Sequence, residues 1–111
     1  MLDPTSLPAH LAALDAAWET YLEQLRAADS RRRTALRAYQ EAYATAYVRA
    51  DVAKSAESLR KQIATGQTLD AAAELEKWES EVRFLRDQLR ALGERTNIAR
   101  SLYSGIKGAT T

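Results

Sequence analysis

From Ala9 to Thr65 the chain runs for 57 residues without a single Gly or Pro. Those two residue types are what normally stop a helix, so a stretch lacking both has no built-in break. Its composition points the same way. The whole chain holds 22 Ala and 14 Leu against six Val and Ile together. Helix formers dominate and strand formers are scarce, which excludes an all-β fold or a parallel sheet.

Punctuation occurs at three places. Pro4 and Pro8 mark the entry, where Thr5 or Ser6 can cap a helix that carries Pro8 in its first turn. The next interruption is Thr65-Gly66-Gln67-Thr68. Gly66 suits the left-handed position that ends a helix, and Thr68, followed by Asp70, suits the next N-cap. Gly105 and Gly108 lie in the tail GIKGATT, which is expected to fray. The reading is a single all-α domain, a coiled-coil-like antiparallel helical hairpin over 7–104. Helix one spans about 7–65, the turn 65–68 and helix two about 69–104. An entry segment 1–6 precedes it and a tail 105–111 follows.

Apolar spacing supports the hairpin. Leu75, Trp78, Val82, Leu85, Leu89 and Leu92 step by three and four residues, a coiled-coil seam that continues through Thr96, Ala99 and Tyr103, with Ile98 and Leu102 widening it. Leu11, Leu14, Trp18, Tyr21, Leu25 and Ala28 keep the same step, followed by Ala35, Tyr39, Ala42 and Ala46. Both Trp18 and Trp78 fall on the seams and are expected in the core.

Length then raises a difficulty. Helix two would measure ~54 Å and an unbroken helix one ~85 Å, at 1.5 Å per residue. Turning about Gly66, helix two covers helix one only back to about residue 28. Residues 7–27, with Leu11, Leu14, Trp18, Leu22 and Leu25, are left as an uncovered arm. Either the chain breaks near Asp29-Ser30 and folds back as a third helix, or the arm pairs with another subunit. Nothing at Asp29-Ser30 compels a break, which favours the second. Asp51 to Ser55 is a further weak point, where Ser55 could cap a helix reaching Ala64.

Charge is balanced at +1 overall but strongly blocked. Residues 1–23 carry −4 and 26–37 carry +4; 70–81 carry −4 and 83–107 carry +4. Folded about Gly66, the Arg31-Arg32-Arg33 run would lie near Arg95 and Arg100. The acidic arm, folded back or donated by a second copy, would neutralise that end.

Little in the sequence supports catalysis. The single His10 sits at the helix entry, away from any nucleophile pattern. The carboxylates of 70–81 lack the Glu-x-x-His pairs of a helical di-metal site, and they read as a solvated face. There is no cysteine and no glycine-rich phosphate loop. No enzyme activity and no cofactor are expected. Tyr39, Tyr43 and Tyr47 step by four along one face, a pattern that fits packing or an interface better than base stacking. Leu11, Leu14, Trp18, Leu22, Leu25, Tyr39, Tyr43 and Tyr47 are therefore the expected oligomer interface, with a homodimer or higher oligomer as the assembly. The alternative partner is nucleic acid, contacted non-specifically through Arg31, Arg32, Arg33, Arg37, Arg95 and Arg100. A third reading is an adaptor or inhibitor that docks a host protein. No stretch reads as a transmembrane helix, and MLDPTSLPAHLAALDAAW lacks the basic start of a signal peptide, so no membrane association and a cytosolic location are expected.

Two stretches carry a resemblance. Ala53-Lys54-Ser55-Ala56-Glu57-Ser58-Leu59-Arg60-Lys61 and Leu92-Gly93-Glu94-Arg95-Thr96-Asn97-Ile98-Ala99-Arg100-Ser101-Leu102 are similar to the small Ala- and Arg-rich coiled-coil proteins of tailed bacteriophages of actinobacteria. The likeness covers about residues 36–104. It implies phage origin, the cytosol of an infected host and no enzyme, and it carries over no functional residues. The helical hairpins of ESX-type secretion fit less well. Their turn carries Trp-x-Gly where this chain has Ala64-Thr65-Gly66-Gln67-Thr68. Their secretion tyrosine follows the second helix, whereas Tyr47 and Asp51 lie in the first.

Overall fold

A computed structural model describes residues 6–52 and 56–109. It holds three helices: α1, Leu7–Val52; α2, Glu57–Gln67; and α3, Leu69–Ala109. α1 and α3 pack against each other as an antiparallel hairpin. α2 follows the break after α1 and leads through Thr68 into α3.

The expected single helix over 7–65 is thus two helices. α1 runs unbroken through Asp29-Ser30, so no third helix folds back there. Ser55, the expected cap, lies outside the described residues. α2 starts instead from Ala56, in extended backbone (φ −60°, ψ 152°) with no side-chain cap. Ser6 O accepts the first turn's bond from His10 N, at 3.0 Å.

The join of α2 to α3 also differs from expectation. Gly66 sits inside α2 without a left-handed φ, and open space surrounds its absent Cβ. Thr68 closes α2 instead. Its hydroxyl, buried, donates to Ala64 O at 2.7 Å, and its N–H donates to Thr65 O at 3.3 Å. Thr68 O then accepts from Ala72 N, at 2.9 Å, which opens α3. One residue both ends one helix and starts the next, so its hydroxyl turns backward rather than capping forward. α3 continues past Gly105 to Ala109, beyond the expected end near residue 104.

The chain forms two compact units, one joining 1–26 to 83–111 and the other spanning 27–82. The first is leucine-rich. Leu7, Leu14, Leu85, Leu89, Leu92 and Ala99 are buried in it. Leu14 packs with Leu92 and Ala99, and Leu11, Ala17 and Tyr21 close around them. Thr96 is buried among these residues because its hydroxyl donates to Leu92 O at 2.8 Å, one turn back. The second unit is alanine-rich, with Ala28, Ala35, Ala46, Ala50 and Ala64 buried beside Val82. Such small side chains let helices approach to the short end of the ~8–10 Å range.

This pairing corrects the uncovered arm. Residues 7–26 are covered by α3 of the same chain, and Leu14 is 8% exposed. The hairpin's fold point is the α1–α2 break rather than Gly66: one arm is α1, of 46 residues, and the other is α2 and α3, of 11 and 41, so the arms are close in length. Charge gives a second reason. In the first unit the acidic residues of 6–23 lie with the basic residues between Arg83 and Arg100, and Asp15 pairs with Arg100. In the second, the basic residues up to Arg37 meet the acidic 70–81 block. Folding about Gly66 would have set arginines on arginines. Blocks of opposite sign favour one register and disfavour the other through many weak, screened terms.

Candidate interaction surface

Each expected site residue has a definite place. In the second unit, Arg31 lies over the Trp78 ring, its guanidinium carbon 4.9 Å from the centroid. Lys77 Nζ lies over the same ring, also at 4.9 Å, and Trp78 Nε1 donates to Glu74 Oε1 at 2.8 Å. Arg32 Nε reaches Asp29 Oδ1 at 2.9 Å, and Arg33 Nε reaches Asp29 Oδ2 at 3.3 Å. In the first unit, Arg100 Nη2 meets Asp15 Oδ1 at 3.4 Å. Four of the six arginines expected to contact phosphate are therefore engaged within the chain. Arg37 and Arg95 are exposed and form no ion pair among the described residues. The expected cluster of Arg31–Arg33 with Arg95 and Arg100 is not what the pairing produces: Arg31 turns to Trp78 of α3, Arg32 and Arg33 turn to Asp29 on their own helix, and Arg100 turns to Asp15 at the start of α1.

The tyrosine ladder packs on itself. Tyr39 and Tyr43 have ring centroids 6.2 Å apart at 42°, and Tyr43 and Tyr47 lie 6.4 Å apart at 18°. Arg60 of α2 covers the Tyr47 ring at 4.2 Å. All three rings are half-buried. Tyr47, at the end of the ladder, thus ties α2 to α1.

Neither tryptophan is in the core. Trp78 is half-buried, and Trp18 is 37% exposed. The reason is what lies beside them. Trp78 borders Ala35 and Ala38. A Cβ on Gly93 would stand 3.4 Å from Trp18 Cζ3. Residues so small cannot roof an indole. An open groove of about 390 Å³ results at Trp18, with Asp15, Thr96, Asn97 and Arg100 around it. Leu11, Leu22 and Leu25, on the same side of α1, are half-buried.

On α3 the most exposed large apolar side chains of the first unit share one face of the helix. Phe84 is 54% exposed, Ile98 62% and Leu102 52%. Phe84, Gln88, Ala91, Arg95, Ile98 and Leu102 step by four and three, so they form one continuous row. It lies to the side of the buried row Val82, Leu85, Leu89, Leu92, Thr96 and Ala99, and the Trp18 groove borders the opposite side of that row. Phe84 is the residue the seam pattern conceals. The signal for it was a second heptad step, 84, 91, 98, offset by two positions from the first. Ile98 and Leu102, expected to widen the seam, belong to this outer row.

Among the described residues no group of three or more His, Asp or Glu could hold a metal ion, and no helix is long and apolar enough to cross a membrane. The chain matches no protein-family model, no curated protein and no solved structure.

Proposed function

We propose that this chain is a non-enzymatic helical interaction protein that self-associates, and that the outer row of α3 is the surface it uses. One observation carries the reading. Three large apolar side chains, each more than half exposed, lie in line on an unbroken helix whose other face is already packed. A row of that kind is the feature by which one helix recognises another. The likeness to phage coiled-coil proteins supports placing it in the cytosol of an infected host. The phosphate-binding alternative has less behind it, because Arg31, Arg32, Arg33 and Arg100 already have partners.

Light scattering coupled to size exclusion, over a concentration series, tests the reading. The expected mass rises with concentration from 12.3 kDa towards twice that value. A monomer throughout would overturn self-association. Titration with single- and double-stranded DNA at about 50 mM salt tests the alternative, for which a steep salt dependence would be required.

A further inference from the structure

We infer that the outer row of α3 pairs with the same row of a second copy, antiparallel, about a two-fold axis at Ala91. This rests on the self-association proposed above and assigns its geometry. The pattern is self-complementary. Phe84 and Ile98 stand seven residues either side of Ala91, and Asp87 and Arg95 stand four either side. An isologous contact sets residues equidistant from the axis against each other. Phe84 of one copy then falls against Ile98 of the other, with Leu102 one turn beyond. Ala91 meets Ala91 at the axis, where a small side chain allows the helices to close. Arg95, the one charge inside the row, comes opposite Asp87. Glu94 stays on the outer rim of the contact, in water.

The charges select this arrangement over its rival. A parallel pairing sets each residue on its own copy, so Arg95 would face Arg95 inside an apolar row. The antiparallel one supplies an acid instead. Asp87 is available for this. It is 70% exposed, and its one ion pair among the described residues is with Arg90 Nη1, at the long distance of 3.9 Å. Arg95 is exposed and forms no ion pair among the described residues. Phe84 to Ile98 spans roughly 21 Å of helix, at 1.5 Å per residue. Three large apolar side chains per copy fall short of the roughly 1,600 Å² of a standard interface, so the dimer is expected in the micromolar range.

The chain has no cysteine, which makes the test direct. Ala91→Cys is expected to form a disulfide-linked dimer under mild oxidation, because the two Cβ atoms meet at the axis. Cysteine in place of Asn97, on another face of α3, is expected to stay unlinked. Asp87→Arg or Arg95→Asp alone is expected to weaken dimerisation about tenfold, and the two together to restore it to within about threefold. A wild-type chain that stays monomeric at about 200 μM, far above a micromolar dissociation constant, overturns both this geometry and self-association. A wild-type dimer in which Ala91→Cys fails to cross-link, or the double exchange fails to restore, overturns this geometry alone. Asp87, Arg95 and Asn97 are exposed and Ala91, half-buried, is replaced by a side chain only one atom larger, so the variants keep the hairpin, and unchanged helical circular dichroism verifies that.

Discussion

Leu14→Ala asks whether the start of α1 is covered by its own chain. Leu14 is 8% exposed and packed against Leu92 and Ala99. The substitution removes apolar groups worth ~0.8 kcal/mol for each buried methylene, about 2.4 kcal/mol in all, before any cavity term. Two neighbours, Ala17 and Ala99, are small, and the site lies between only two helices, so partial collapse keeps the cavity term low. A loss of about 2.5–3 kcal/mol is expected. Domains of this size hold ~5–15 kcal/mol in total, so the melting temperature should fall by roughly 10–20 °C. Urea and thermal unfolding, followed by far-ultraviolet circular dichroism, measures it. The loss must persist on dilution to concentrations where the chain is monomeric, because the contact is within one chain. Ala12→Ser, at an exposed position of α1, serves as the control, with a change below about 0.5 kcal/mol. A Leu14→Ala change as small as the control's, or one that disappears on dilution, would refute the reasoning. Either result would return residues 7–26 to the role of an arm awaiting another subunit.

Other consequences follow from the same contacts. Gly66→Ala should raise stability by about 0.5–1 kcal/mol, because Gly66 is helical and a Cβ there meets nothing within 4 Å; a loss would show that a left-handed turn lies there. Thr68→Val should cost about 1 kcal/mol by removing the buried bond to Ala64 O, with faster hydrogen exchange at the end of α2 as its local sign. Arg60→Ala and Tyr47→Leu should each destabilise α2. A double-mutant cycle should give a coupling of about 0.5–1 kcal/mol, and additivity would remove the cation–π contact from the account. Asp15→Asn should change the unfolding free energy by less than about 0.5 kcal/mol, since both partners of its pair with Arg100 are about 60% exposed.

Fold class was legible in the residues alone. The span from Ala9 to Thr65 without Gly or Pro, and the step from Leu75 to Leu92, need only local propensity and periodicity to be read as helix. The seam residues Leu14, Leu85, Leu89 and Leu92 were legible on the same ground, and all four are buried. The outer row was legible in part. Ile98 and Leu102 stood out as apolar, while Phe84 was lost beside the stronger seam.

Where the hairpin folds was decided only by the tertiary structure. A heptad seam fits its partner equally well after a shift of seven residues, so periodicity says which face is buried and not which residues meet. Gly66 was the more conspicuous signal, but a lone glycine tolerates a helical φ as readily as a turn. The real fold point, between Val52 and Glu57, carries neither Gly nor Pro. What separates the two registers is a property of pairs. The two arms are close in length, Asp15 reaches Arg100, Arg31 reaches Trp78, and Leu7 and Leu14 of the first turns are buried. None of these terms belongs to either segment by itself, and so each becomes visible only once the two helices lie side by side.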